Sequence, residues 1–317
     1  MARYGGGKAE GSSVAEAGGG NNRTGQGWHD GYSWSNDGLR LHYRDYPGRA
    51  DRPPLLCLPG LTRNARDFEP LATRLAGEWR LICPDLRGRA ESAYAKDPMT
   101  YVPLSYLQDL ERLLTDLALT RFVIVGTSLG GIIAMLMAST RPDRLAGAVL
   151  NDVGPQIEPE GLERIRGYVG SGSTHPTWVH AARALEEGNA AVYPDYDLEK
   201  WLGMAKRLYR LNSSGRVVLD YDMRIAEPLR VPGGEAGVDL WPAMQGFRGV
   251  PTLIVRGERS DILSAATADR MVRENGGSAE VVTVPRVGHA PVLDEPVAAG
   301  AIDRLLERIA GSVPADG

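Results

Sequence analysis

The hydrophobic positions of the chain change period repeatedly. Continuous apolar runs occur in PLLCLPG (54–60), WRLICPDLRG (79–88), RFVIVG (121–126) and LAGAVLNDVG (145–154), and again in PTLIVRG (251–257) and AEVVTVP (279–285). Such runs predict strands covered on both faces. Between them lie segments of helical spacing. ARDFEPLATRLAG (65–77) ends on a glycine stop signal, and SYLQDLERLLTDLAL (105–119) carries an apolar stripe of Leu107, Leu110, Leu113, Leu114 and Leu117. LGGIIAMLMAST (129–140) is apolar all round and predicts a buried helix, and ATADRMVREN (266–275) and PVAAGAIDRLLERIAG (296–311) predict two more helices. Ahead of these, YSWSND and LRLHYRDY predict a hairpin about Asp37-Gly38.

Strands alternating with helices imply a parallel sheet with helices on both faces. The rhythm breaks from about residue 155 to 245. That stretch has no buried strand pattern but holds helical pieces such as PEGLERIRGYV, PTWVHAARALEEG and LEKWLGMAKRLYRL. The expected organisation is therefore a tail over 1–28, a core over 29–154 and 246–317, and a helical cap over 155–245. Residues 1–28 are rich in Gly, Ala, Ser and Asn, too poor in large apolar side chains to offset the entropy of ordering, and predict a flexible tail.

Composition narrows the function classes. The 317 residues are 43% hydrophobic and 24% charged, with 36 basic against 40 acidic side chains and a net charge of −4. That balance predicts no nucleic-acid or anionic-membrane partner. No segment reaches the roughly 18 apolar residues of a membrane span, and the N-terminus has no apolar signal core, so the protein is expected to be cytoplasmic. Cys57 and Cys83 sit inside strand patterns and are expected as buried free thiols. The sequence leaves the oligomeric state open, a homodimer included.

The chemistry concentrates at the ends of strands. Gly126-Thr127-Ser128-Leu129-Gly130 is G-x-S-x-G set between a strand and a helix. A serine held in so sharp a corner needs glycine where side chains would collide, and the corner lifts its hydroxyl above the sheet. A serine nucleophile needs a base. Of the five histidines, His289 lies in PRVGHAPVLDEP, after the last strand and so at the same carboxyl edge as Ser128. His29, His42, His175 and His180 are expected to be packed or solvated. A carboxylate should orient His289; Asp261 in VRGERSDIL is favoured, with Asp152 in VLNDVGP as the alternative. The N–H of Leu129 at the helix start and that of Leu61 in the PGLTRN loop are candidate oxyanion donors. Thr62 and Arg63 beside that loop are candidate substrate contacts, Arg63 either as a surface charge or against a substrate carboxylate. Aromatic side chains of the insertion, among them Trp178, Tyr193, Tyr196 and Trp201, are candidate walls of an apolar pocket. No Cys/His spacing suggests a metal, and no cofactor is expected.

With these residues in place, the chain resembles an α/β-hydrolase over about residues 30–312. The resemblance rests on LPGLTRN, PDLRGRAES, GTSLGG, RGERSDIL and VGHAPVLDEP in that order. It implies a mostly parallel eight-stranded sheet, a cap over the active site, and a serine hydrolase of a small, fairly apolar ester or lactone. It also implies the chain order Ser128, Asp261, His289. Pro59-Gly60 stands where relatives often have His-Gly, and Arg89 departs from the usual residue of its loop. Ser rather than Asp at 128 disfavours epoxide opening and halide displacement. A carbon–carbon bond hydrolase of ring-cleavage diketones is the alternative, although Ala290 follows His289 where those relatives commonly have Trp. A non-catalytic ligand receptor is a third reading.

Overall fold

The structure is a computed structural model that describes residues 27–231 and 239–312. In chain order the elements are β1 (His29–Trp34), β2 (Arg40–Tyr46), β3 (Leu55–Leu58), α1 (Glu69–Leu75), β4 (Leu81–Pro84), α2 (Pro103–Asp116), β5 (Phe122–Thr127), α3 (Leu129–Thr140) and β6 (Leu145–Asn151). There follow α4 (Pro159–Tyr168), β7 (Thr174–His175), α5 (Trp178–Asn189), α6 (Leu198–Leu208), β8 (Tyr209–Leu211) and β9 (Val217–Leu219). The chain closes with α7 (Trp241–Met244), β10 (Thr252–Gly257), α8 (Ala265–Glu274), β11 (Ala279–Val284) and α9 (Pro296–Gly311).

Eight strands form one sheet in the order β1-β2-β4-β3-β5-β6-β10-β11. β2 runs antiparallel to both its neighbours, and the strands from β4 to β11 are mutually parallel. The period of two along each strand divides the interior into two cores. Leu56 and Leu58 of β3, Ile124 of β5 and Ile254 of β10 face the side covered by α2, α3, α7 and α8. Leu55 and Cys57, Val123 and Val125, and Leu253 and Val255 face α1 and α9. Both faces are buried, so these strands read as unbroken apolar runs rather than as alternation.

β3 lies between β4 and β5 although β4 follows it in sequence, so the chain reverses its direction of travel across the sheet there. The loops after β3 and β5 consequently leave the same edge side by side and open a crevice between them. The segment between β6 and β10 differs from the expected all-helical insertion in two ways. A small antiparallel sheet, β7-β9-β8, joins its helices. These strands are two or three residues long, too short to show a period of two. At its C-terminal end, α7 packs on α3 and belongs by contact to the core rather than to the insertion. The predicted tail lies, but for its last two residues, outside the described residues. Cys57 and Cys83 are buried free thiols on adjacent strands. No helix among the described residues is long and apolar enough to cross a membrane.

Candidate active site

β5 ends at Thr127 and α3 begins at Leu129, so Ser128 alone makes the corner. Its backbone has φ 52° and ψ −115°, a conformation that costs a non-glycine residue about 1–3 kcal/mol. The flanking glycines follow from packing. A Cβ on Gly130 would stand 2.1 Å from the Leu58 carbonyl oxygen, and one on Gly126 would stand 2.5 Å from that of Gly130. Only bare backbone lets the first turn of α3 settle onto β3 and β5 this closely.

His289, between β11 and α9, reaches this corner. Its Nε2 is 2.9 Å from Ser128 Oγ, and its Nδ1 is 2.8 Å from Asp152 Oδ2. An ionised carboxylate only accepts, so the imidazole proton sits on Nδ1 and Nε2 is left to accept from the serine hydroxyl. Asp152 is fully buried at the end of β6, with φ 54°. Its Oδ1 accepts the Gly257 N–H at 2.8 Å, and its Oδ2 also accepts the Ser260 hydroxyl at 2.7 Å. β6 and β10 are neighbours, which brings the N–H at the end of β10 to this carboxylate.

Asp261, favoured from the sequence as the partner of His289, is not in this relay. Its carboxylate forms a two-point ion pair with the Arg164 guanidinium of α4, with Nη2 to Oδ1 at 2.8 Å. Burial alone would raise its pKa, but the Arg164 pair outweighs this and holds the carboxyl below its usual value. The next side chain back, Ser260, is the one that turns inward, and it donates to Asp152.

The loop after β3 sits across from the corner. Arg89, fully buried, grips it: Nε and Nη2 donate to the Leu61 carbonyl at 3.0 and 2.8 Å, and Nη1 donates to the Tyr106 hydroxyl at 2.9 Å. The unusual Arg89 is thus a clamp on the loop. Among the described residues, neither the Leu61 N–H nor the Leu129 N–H has a protein acceptor. Gly60 is not demanded by space, since a Cβ there would meet Ser128 Cβ at an ordinary 3.7 Å.

Ser128 and His289 line a cavity of about 500 Å³. Its other walls include Leu61, Thr62 and Arg63 from the core, and Tyr168, Leu185, Tyr193, Met204 and Tyr209 from the insertion. Of Trp178, Tyr193, Tyr196 and Trp201, only Tyr193 lines it. Tyr196 stacks on Tyr193 with ring centroids 4.8 Å apart, buried Trp201 meets both edge-on, 5.0 Å from Tyr196, and Trp178 packs against the same cluster. These three are therefore packing residues: α5 and α6, which carry Trp178 and Trp201, pack against each other, and Tyr196 of the loop between them joins the cluster. Burial pushes the Tyr193 hydroxyl up to about 12, so it stays a donor, and it bonds the Ala290 carbonyl at 2.7 Å beside His289. Tyr221, Ser171 and Ser173 also line the cavity and carried no signal in the sequence.

Arg63 is not a surface charge. Four-fifths of its side chain is covered, and its Nη1 is buried without an acceptor among the described residues. Its Nε stands 3.5 Å from Asp67, too far for a hydrogen bond, and Asp67 also faces Arg207 at 3.9 Å. A buried donor left unmade costs about 1–3 kcal/mol. Among the described residues no group of His, Cys, Asp and Glu is arranged to hold a metal.

Residues 55–301 match the Alpha/beta hydrolase family. The chain is 34% identical to a 3-hydroxybutyrate-oligomer hydrolase from Cupriavidus necator, over 81% of this chain and 89% of that one. It is 31% identical to a 2-(acetamidomethylene)succinate hydrolase from Mesorhizobium japonicum, over 75% of this chain and 81% of that one. An alpha/beta hydrolase of known structure from Novosphingobium aromaticivorans is 60% identical and superposes with a TM-score of 0.86, covering 89% of this chain and 99% of that one. The sheet order, the serine corner and these matches lead to one conclusion: the chain belongs to the alpha/beta hydrolase family.

Proposed function

We propose that the protein hydrolyses carboxylic esters, lactones included, through an acyl-enzyme on Ser128. The observation that carries this is the unbroken chain of hydrogen bonds from Ser128 Oγ through His289 to Asp152 at the wall of the cavity. His289 Nε2 takes the hydroxyl proton as Ser128 Oγ attacks the carbonyl carbon. The oxyanion forms against the unpartnered N–H groups of Leu61 and Leu129. Asp152 stabilises the imidazolium, which then gives its proton to the departing alcohol. Water repeats the sequence on the acyl-enzyme, returning the acid and free Ser128. The described part of the insertion before α7, residues 155–231, acts as a cap that supplies the outer wall of the cavity and limits the size of the substrate.

The Cupriavidus relative is named for an oligomer of a hydroxy acid, whose units are joined by ester bonds, and this supports an ester as the scissile group. Ser128→Ala should lower turnover of nitrophenyl esters by about 10⁴-fold or more with an unchanged melting temperature. Retained turnover would overturn the proposal. Ring-cleavage diketones in the same substrate panel test the carbon–carbon alternative, which predicts a preference for them over every ester and lactone.

A further inference from the structure

The cavity holds a cation that the proposed acyl transfer does not use. Arg63 sits three residues beyond Gly60, in a turn closed by the Arg63 N–H on the Gly60 carbonyl at 3.1 Å. The side-chain direction of Gly60 points between Arg63 Cγ, at 3.4 Å, and Ser128 Cβ, at 3.7 Å, so those two atoms lie within about 7 Å of each other. Arg63 therefore stands beside the nucleophile. Its guanidinium makes no hydrogen bond among the described residues, and Arg63 is one of the residues that line the cavity. The other arginine on the cavity wall, Arg164, has its fork filled by Asp261.

Charge bookkeeping gives the same direction. Asp67 is the one carboxylate facing both Arg63 and Arg207, neither of them within hydrogen-bond reach. Within this cluster of Arg63, Asp67 and Arg207 one positive charge is left over, which suits a monoanion. A planar fork with free donors matches a carboxylate held at two points. Protein surrounds the site, so the attraction is weakly screened.

We infer that the substrate is an anionic ester, with a free carboxylate a few bonds from the scissile carbonyl, and that Arg63 receives this carboxylate. The inference rests on the ester-hydrolase reading of the same cavity and adds the class of ester. Arg63 binds and orients; the bond made and the bond broken remain those at Ser128. The predicted specificity is for short half-esters and hydroxy-acid ester dimers ending in carboxylate, over neutral esters of the same length.

Two substrate pairs test it on the full-length protein. One is mono-nitrophenyl glutarate against the same ester with its free acid capped as the primary amide. The other is the linear dimer of 3-hydroxybutyrate against its terminal amide. The pairs put the carboxylate on the acyl and on the alcohol half respectively. The expected result is a kcat/KM about tenfold or more higher for the acid in at least one pair, and a collapse of that ratio toward one in Arg63→Gln, mostly through KM. Arg63→Lys should retain part of the ratio. A ratio near one in the wild type, or one unchanged by Arg63→Gln, overturns the inference while turnover of the amides leaves the ester reading standing. Conversely, glutarate binding to Ser128→Ala but not to Ser128→Ala/Arg63→Gln, seen by calorimetry, supports the carboxylate site even if no ester is turned over.

Discussion

The Asp152 carboxylate accepts three hydrogen bonds, from the Gly257 N–H, the Ser260 hydroxyl and His289 Nδ1. A carboxamide there would turn an NH₂ group toward one of these donors and lose the imidazole tautomer that the relay needs. Asp152→Asn should therefore lower kcat by about 10³–10⁴. Asp261→Asn breaks an ion pair at the rim and should change kcat by less than about threefold. Steady-state kinetics on one nitrophenyl ester compares the two; equal losses would contradict the assignment. The positions of Ser128 and His289 were legible because each is fixed locally, by glycines and by the end of a strand. The choice between Asp152 and Asp261 was not. Both follow adjacent parallel strands at the same edge, and Arg164, about a hundred residues away in the chain, is what draws Asp261 aside. Arg63 was ambiguous for a similar reason: its burial depends on the insertion folding over it.

At the scale of elements, the strand-to-helix corner is held by close backbone contact. Gly130→Ala would push a methyl to 2.1 Å from the Leu58 carbonyl oxygen, a backbone atom of a buried strand that cannot yield. This variant should lose about 1–3 kcal/mol of stability or more in urea unfolding. Gly300, inside α9, has only the tip of Arg304 within 4 Å of its would-be Cβ, at 3.8 Å. Gly300→Ala should gain about 0.5–1 kcal/mol, as removal of a helix-interior glycine does. A Gly130→Ala protein as stable as the wild type would show that the elbow is looser than drawn. The long elements were readable because two-sided burial makes strands continuously apolar and one-sided burial gives α2 its stripe. The short strands β7, β8 and β9 lacked the length for either signal. The aromatic residues of α5, α6 and the loop between them are apolar whether they face a cavity or one another, so their division into wall and packing required the fold.

Across the whole molecule, residues far apart in the chain are tied together at the carboxyl edge of the sheet and beneath it. His42 of β2 lies buried between Asp85, 2.6 Å from its Nδ1, and Asp30, 3.0 Å from its Nε2, joining β1, β2 and the end of β4. Burial alone would lower its pKa, but the two carboxylates, Asp85 first, outweigh this and raise it above 6.5. The folded state thus binds this proton more tightly than the unfolded one. The stability it contributes is full below about pH 6.5 and is lost as pH rises through the raised value. The stability difference between wild type and His42→Gln in urea should accordingly shrink as pH rises through that window; a constant difference would mean that His42 does not titrate there. The same sheet edge sets Ser128, His289 and Asp152 side by side, and the account stands on that convergence producing a reactive serine. Its most direct test is the mass of the protein quenched during turnover of nitrophenyl acetate, followed by peptide mapping. The account predicts one acetyl group per chain, on the peptide that contains Ser128. Turnover with Ser128 unmodified and the acetyl group on another residue would contradict it.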